Sequence, residues 1–87
     1  MPELTLDEAA KLADEYAARG LARELASLRT EWDDEIEAAA RHADYRIRSQ
    51  AYRALAQFRY RQKLELLRRG LDDESPGVRG SALIALE

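Results

Sequence analysis

Apolar side chains recur along this chain at the three-and-four spacing of a helical face. Leu6, Ala9, Ala10, Ala13, Tyr16 and Ala17 form the first stripe, which predicts an amphipathic helix. Thr5 precedes it and Glu8 follows three residues on, the capping-box pair in which each side chain bonds the other's free backbone N–H. Gly20 ends it, because glycine takes the left-handed conformation at a helix C-terminus without steric cost. A second stripe, Leu21, Leu25 and Leu28, predicts a helix from about Leu21. Thr30 is placed to cap a third, over Glu31 to Ala43, with Trp32, Ile36, Ala39, Ala40 and Ala43 apolar. One bent helix over 21–43 is the alternative. Glu31, Asp33, Asp34 and Glu35 crowd the start of the third stripe, where a helix dipole favours negative charge.

Asp44 is placed to cap a fourth helix that points Ile47, Ala51, Ala54, Leu55 and Phe58 inward. A fifth, from about Tyr60 to Leu71, is expected to bury Leu64, Leu67 and Leu71. Only Phe58-Arg59-Tyr60 separates these two, without Gly or Pro, so this boundary carries the weakest signal. Ser75-Pro76 reads as N-cap and first helical residue: Ser offers its oxygen to free N–H groups and Pro has no N–H to leave unpaired. The last helix makes Val78, Ala82, Leu83, Ala85 and Leu86 apolar. With four Gly, two Pro and few β-branched residues in a chain rich in Ala, Leu, Glu and Arg, the fold class is all-α.

At 87 residues the chain is one domain of modest core. Cysteine is absent, which removes disulfide and thiol chemistry and agrees with a cytoplasmic location. No apolar run approaches the roughly 18 residues of a membrane span, and Met-Pro-Glu-Leu lacks the features of a secretory signal. The net charge of −3 conceals a segregation. Residues 1–40 sum to −7 (eleven acidic, four basic), 41–69 to +7 (nine basic, two acidic) and 70–87 to −3 (four acidic, one basic). Such blocks either neutralise each other, within the fold or across a dimer, or steer a charged partner.

A shift of 31 residues brings two segments into register: Ile47-Arg48 on Val78-Arg79, Ala51 on Ala82, Ala54-Leu55 on Ala85-Leu86, Asp44 on Ser75, Ile36 on Leu67 and Ala40 on Leu71. Near-copies at such a period signal a solenoid, in which each helix pair buries its apolar face against the next. The run Leu71-Asp72-Asp73-Glu74-Ser75-Pro76-Gly77-Val78-Arg79, followed by Ala82 and Ala85-Leu86, resembles the HEAT-repeat pattern. The upstream copy, Ala40 to Leu55, is similar, with His42 in place of Asp73 and Tyr45 in place of Pro76. The resemblance covers about residues 31–87. It implies a short right-handed α-solenoid of stacked antiparallel helix pairs, divided as an atypical N-terminal pair (1–30) and repeats at 31–58 and 59–87. It also implies structural roles for Asp44, Ile47, Arg48, Asp73, Val78 and Arg79, with the turn Asp and the Arg after Val pairing along the stack.

Groupings that carry chemistry are sparse. His42 is the only histidine; one histidine and no cysteine do not make a usual zinc site. The residue after it is Ala43, so the His-Glu pairs of HEAT-like metal-dependent hydroxylases are missing. Asp33 and Glu37 share a helix face, as paired carboxylates that hold a cation do, but acids at a helix start serve the dipole more often. No catalytic residue, cofactor or metal is expected; a HEAT-like lyase subunit is the enzymatic alternative that the resemblance implies.

The basic block offers more. Arg46, Gln50, Arg53 and Gln57 lie on one outward stripe of the fourth helix, with Tyr45, Ser49, Tyr52 and Ala56 along an adjoining row and Arg61 beyond. The expectation is a non-catalytic scaffold that binds a protein with an acidic surface through Arg46, Gln50, Arg53, Gln57 and Arg61. The alternative is a nucleic-acid-binding module using segment 41–69, with a precedent in HEAT-like DNA glycosylases; a pI near 5.2 weighs against it. The final helix keeps an apolar row with no polar closing repeat, which predicts self-association or a place in a longer array.

Overall fold

A computed structural model describes residues 4–87, which form five helices and, among these residues, no strand. The N-terminal residues on which the signal-peptide reading partly rests lie outside this range. The helices are α1 (Leu6–Ala18), α2 (Ala22–Ala40), α3 (Tyr45–Gln57), α4 (Leu64–Leu71) and α5 (Pro76–Leu86). The molecule is a slab of 34 × 29 × 17 Å, its short dimension being two rows of helices. One row runs α1, α3, α5 and the other α2, α4, with the seam between α3 and α5 the most extensive.

Local signals set most helix ends. Thr5 and Glu8 form the expected capping box, with the Thr5 N–H on Glu8 Oε1 at 2.9 Å and the Glu8 N–H on Thr5 Oγ1 at 3.2 Å. Gly20, at φ 71°, ends α1: its N–H bonds Ala17 O and the Leu21 N–H bonds Tyr16 O, the paired closure of a Schellman turn. Asp44 caps α3 through the Arg46 N–H at 2.9 Å.

Three expectations about boundaries are corrected. Residues 22–40 are one helix, as the alternative of a single helix over 21–43 has it, and the two separate helices meeting at Thr30 are corrected. Thr30 caps nothing; its hydroxyl donates back to Ala26 O at 3.2 Å inside α2, because nothing in 21–30 is able to stop a helix. Helix α4 starts at Leu64, not Tyr60. Arg29 on α2 donates to Phe58 O and Arg59 O at 2.8 and 3.0 Å, and this clasp holds the intervening chain out of helix. Ser75 stands at the N-cap of α5 with Pro76 behind it, but its hydroxyl makes no cap bond. Asp73 orders the turn instead, accepting from the Ser75 N–H at 2.9 Å.

The 31-residue period holds in three dimensions. Shifting α3 by 31 gives the start of α5, and shifting the ends of α2 and α3's cap gives Leu71 and Ser75. Even single hydrogen bonds repeat. Arg48 Nη1 donates to His42 O at 3.0 Å, and Arg79 Nη1 donates to Asp73 O at 2.7 Å. His42 Nδ1 accepts from the Asp44 N–H at 2.9 Å, the bond that Asp73 accepts from Ser75 one layer on. The imidazole thus replaces a carboxylate in the turn.

The core joins Ala9, Ala10 and Ala13 of α1 to Trp32 and Ile36, Leu55 and Phe58, Leu67, and Val78 and Ala82. Ala51 and Ala54 are buried like their counterparts Ala82 and Ala85. Ile47 and Val78 are not equally buried: Val78 is fully enclosed and Ile47 only half. The layer above α5 is a full helix pair, whereas above α3 lies the single helix α1, which leaves Ile47 less roof. Leu64, expected inside, is 55% exposed, and Leu83, on the apolar row of the last helix, is 56% exposed.

Candidate protein-interaction surface

Helix α3 is the middle member of the α1–α3–α5 row, so the side of it facing away from α2 forms the floor of an open surface. Arg46, Gln50, Arg53 and Gln57 share that side, as their spacing requires. Their freedom differs. Arg46 folds back on Asp44, with Nε and Nη2 on the two carboxylate oxygens at 3.2 and 3.1 Å; the contact lowers the Asp44 pKa. Arg61 donates to Glu87 O at 3.2 Å, near the end of α5. Arg53 Nη1 donates to Ser49 Oγ at 3.1 Å. Ser81 Oγ donates to Gly77 O at 3.0 Å, so the 3.0 Å contact between the two serines has Ser49 as donor. The chain Arg53–Ser49–Ser81–Gly77 anchors an exposed guanidinium in the buried seam between α3 and α5.

Arg53 and Gln57 also line a groove of about 460 Å³ with Ala56, with Asp7 and Lys11 of α1, and with Ile84 of α5. Its lining joins two apolar residues to two cations, one acid and one amide. Ile84, 59% exposed, is the residue that sequence reasoning missed. The 31-residue shift places it on Arg53, on the outward side of α5, and that signal was enough to find it. Arg46 and Arg61 do not line this groove.

The rest of the basic block is largely occupied. Arg48 grips Asp73 through Nε and Nη2 at 2.9 and 3.0 Å. Lys63 reaches Asp33 and Glu37, each at 2.7 Å, and lies 5.1 Å from the Tyr60 ring centroid. Arg59 meets Asp14 at 3.0 Å, and Arg41 meets Glu37 at 3.4 Å. With Arg46 on Asp44, five of the nine basic residues in 41–69 have acidic partners, and among the described residues Arg53, Arg61, Arg68 and Arg69 meet none. The free positive field is therefore smaller than the sequence block suggests.

Asp33 and Glu37, the carboxylate pair that resembled a cation site, hold the Lys63 ammonium. Hydrogen bonds from Lys63 keep both carboxyls below their ordinary values, with Tyr60 assisting at Asp33 through a 2.6 Å bond. Burial works against the Lys63 charge, but the bonds to the two acids outweigh it and its pKa rises. Among the described residues, no group of three or more His, Cys, Asp or Glu is placed to hold a metal ion. No described helix is long and apolar enough to cross a membrane.

A family model for HEAT repeats matches residues 3–87, which extends the likeness to the N-terminal region that the repeat pattern alone left out. No curated protein and no solved structure matches the chain. HEAT repeats are commonly protein-interaction scaffolds, and the family is typically non-enzymatic. Stacked helix pairs, turn hydrogen bonds that recur at one period and a matching family model lead to one conclusion: the chain belongs to the HEAT-repeat family.

Proposed function

We propose that this protein is a non-catalytic scaffold that captures a protein segment carrying acidic and aliphatic side chains, and that the α1–α3–α5 groove is its binding surface. The observation that carries this reading is the position of Arg53, held by Ser49 in a groove whose lining includes Ala56 and Ile84. A carboxylate placed on Arg53 gains a charge-assisted hydrogen bond. An aliphatic neighbour covers Ile84, which otherwise faces water. Gln57 and Lys11 add donors along the same path, and Gln50, Arg46 and Arg61 extend the surface beyond it.

The test is selection from a displayed library of random peptides against the purified chain, repeated with Arg53→Glu and with Ile84→Ser. The expected result is enrichment of sequences in which Asp or Glu lies close to Leu, Ile or Val. Those sequences should lose at least tenfold in affinity against either variant, while the variants keep their helical circular dichroism. Enriched peptides that bind both variants unchanged overturn the assignment of this surface.

A further inference from the structure

Ser49 of α3 and Ser81 of α5 are buried where these two helices meet. The repeat did not place them there. A shift of 31 residues carries Ser49 onto Gly80 and Gln50 onto Ser81, so their contact has no counterpart in the pattern that the two layers share. Each serine lies one helical turn before a residue of the groove, Ser49 before Arg53 and Ser81 before Ile84. A hydroxyl inside a helix can satisfy itself on the carbonyl four residues back, as Thr30 does on Ala26 O at 3.2 Å and Ser81 on Gly77 O at 3.0 Å. Ser49 behaves differently. Its proton crosses the seam to Ser81 Oγ at 3.0 Å, because Ser81 has committed its own, and Ser49 Oγ accepts from Arg53 Nη1 at 3.1 Å.

We propose that Ser81, acting through Ser49, is a positioning residue that holds Arg53 by Nη1 and leaves its Nε–Nη2 edge to take one carboxylate side-on. The inference rests on the α1–α3–α5 groove being the binding surface and specifies the geometry that its arginine reads. Arg48, on the same helix, shows the arrangement in its occupied form. Its Nη1 is held by His42 O and Ala43 O, and its Nε–Nη2 fork closes on both oxygens of Asp73. Arg53 has Nη1 held by a hydroxyl, and among the described residues its other edge meets no acid. A planar fork held at one corner gives up little entropy when a carboxylate completes it. Without the Ser81 oxygen, the Ser49 hydroxyl turns to the carbonyl four residues back, that of Tyr45, as Thr30 and Ser81 do on theirs. The guanidinium then loses its anchor through a residue that it does not touch.

NMR of the arginine side-chain N–H groups in the full chain tests the positioning without any ligand. The Arg53 Nε–H should be ordered in the parent, with the exposed Arg69 as the mobile reference. It should become as mobile as Arg69 in Ser81→Ala and in Ser49→Ala, while the helical circular dichroism of both variants stays that of the parent. Sodium acetate, titrated against sodium chloride at equal ionic strength, is the carboxylate probe. Acetate should move the Nε–H and Nη2–H signals of Arg53 together, and about fivefold more should be needed in Ser81→Ala. An Arg53 as mobile as Arg69 in the parent, or one undisturbed by Ser81→Ala, overturns the positioning. An ordered Arg53 that answers acetate and chloride alike overturns the side-on carboxylate. Failure of the groove as the binding surface reads differently: library-selected peptides would then bind Arg53→Glu as they bind the parent, while the acetate titration keeps its dependence on Ser81.

Discussion

Tyr52 lies against the Cα of Gly70 so closely that a Cβ there would stand 2.6 Å from Tyr52 Cε1 and 2.7 Å from Ala82 Cβ. The ring reaches through this gap to donate its hydroxyl to Leu66 O at 2.7 Å. Gly70 of α4 thus lets α3 and α5 approach its backbone, and burial raises the Tyr52 pKa. Gly70→Ala should destabilise the fold by about 2 kcal/mol through overpacking, despite alanine's better helix propensity. Tyr52→Phe should cost about 1 kcal/mol for the lost hydrogen bond. The double variant Gly70→Ala with Tyr52→Leu should recover part of the first loss, because leucine vacates the space. Urea denaturation of the three variants checks all of this, and a stabilising Gly70→Ala would contradict the packing described.

The Arg48–Asp73 pair links the two layers and gives an acid limit to stability. Hydrogen bonds from Arg48, assisted by the Ser75 N–H, hold the Asp73 pKa below its ordinary value. A carboxyl whose pKa is lower in the folded than in the unfolded state stabilises fully above the unfolded value, about 3.9. That contribution fades as pH falls through the folded value. Stability should therefore decline below about pH 4, and Asp73→Asn should lower the midpoint at neutral pH while flattening the acid limb. An unchanged acid limb in Asp73→Asn would assign the loss to the other carboxyls whose pKa values are depressed, Glu8, Asp33, Glu37 and Asp44.

Lys63 fastens the chain leading into α4 onto α2, and its side chain is largely enclosed. Lys63→Met keeps the length and apolar stem but leaves Asp33 and Glu37 facing each other. The expected cost is about 2 kcal/mol, from two lost charge-assisted bonds and the repulsion that remains. Carboxyl pKa values read by NMR should rise at both acids, Asp33 keeping part of its depression through Tyr60. Acids unmoved by Lys63→Met would show that the ammonium is not their principal partner.

His42 supplies a test of the repeat equivalence. His42→Asp keeps an acceptor for the Asp44 N–H, whereas His42→Ala removes it. The first should leave the thermal midpoint unchanged or higher, and the second should lose about 1 kcal/mol, as for a missing cap. Equal losses in both variants would mean that the Nδ1 contact contributes nothing.

Arg59 closes α3 in a left-handed conformation, φ 55°. Its N–H bonds Ala56 O and the Tyr60 N–H bonds Leu55 O, the same turn that Gly20 makes after α1. Glycine at 59 relieves about 1 kcal/mol of backbone strain but forfeits the side-chain bonds to Ala56 O and Gln57 O and the pair with Asp14. Arg59→Gly should accordingly fall within about 0.5 kcal/mol of the parent, while Arg59→Val, unable to relax at this φ, should be clearly less stable. Chemical denaturation distinguishes the two outcomes.

The comparison of Gly20 with Arg59 shows how far the chain could be read without coordinates. Both residues end a helix by one geometry, yet only glycine announces it, because arginine reaches that conformation through the side-chain bonds around it and not by any local preference. Helicity, the Thr5–Glu8 and Asp44 caps and the 31-residue period followed from residue type and spacing, since each depends on neighbours along the chain or on repetition of a pattern; the Arg48–Asp73 link was expected only from the likeness to HEAT repeats. Tertiary structure decided the continuity of α2, the late start of α4 under the Arg29 clasp, the occupation of most basic side chains and the exposure of Leu64, Leu83 and Ile84. A helical face appears apolar in sequence whether or not another layer covers it, so only the position of each layer in the stack determines which leucines are core and which are left as surface.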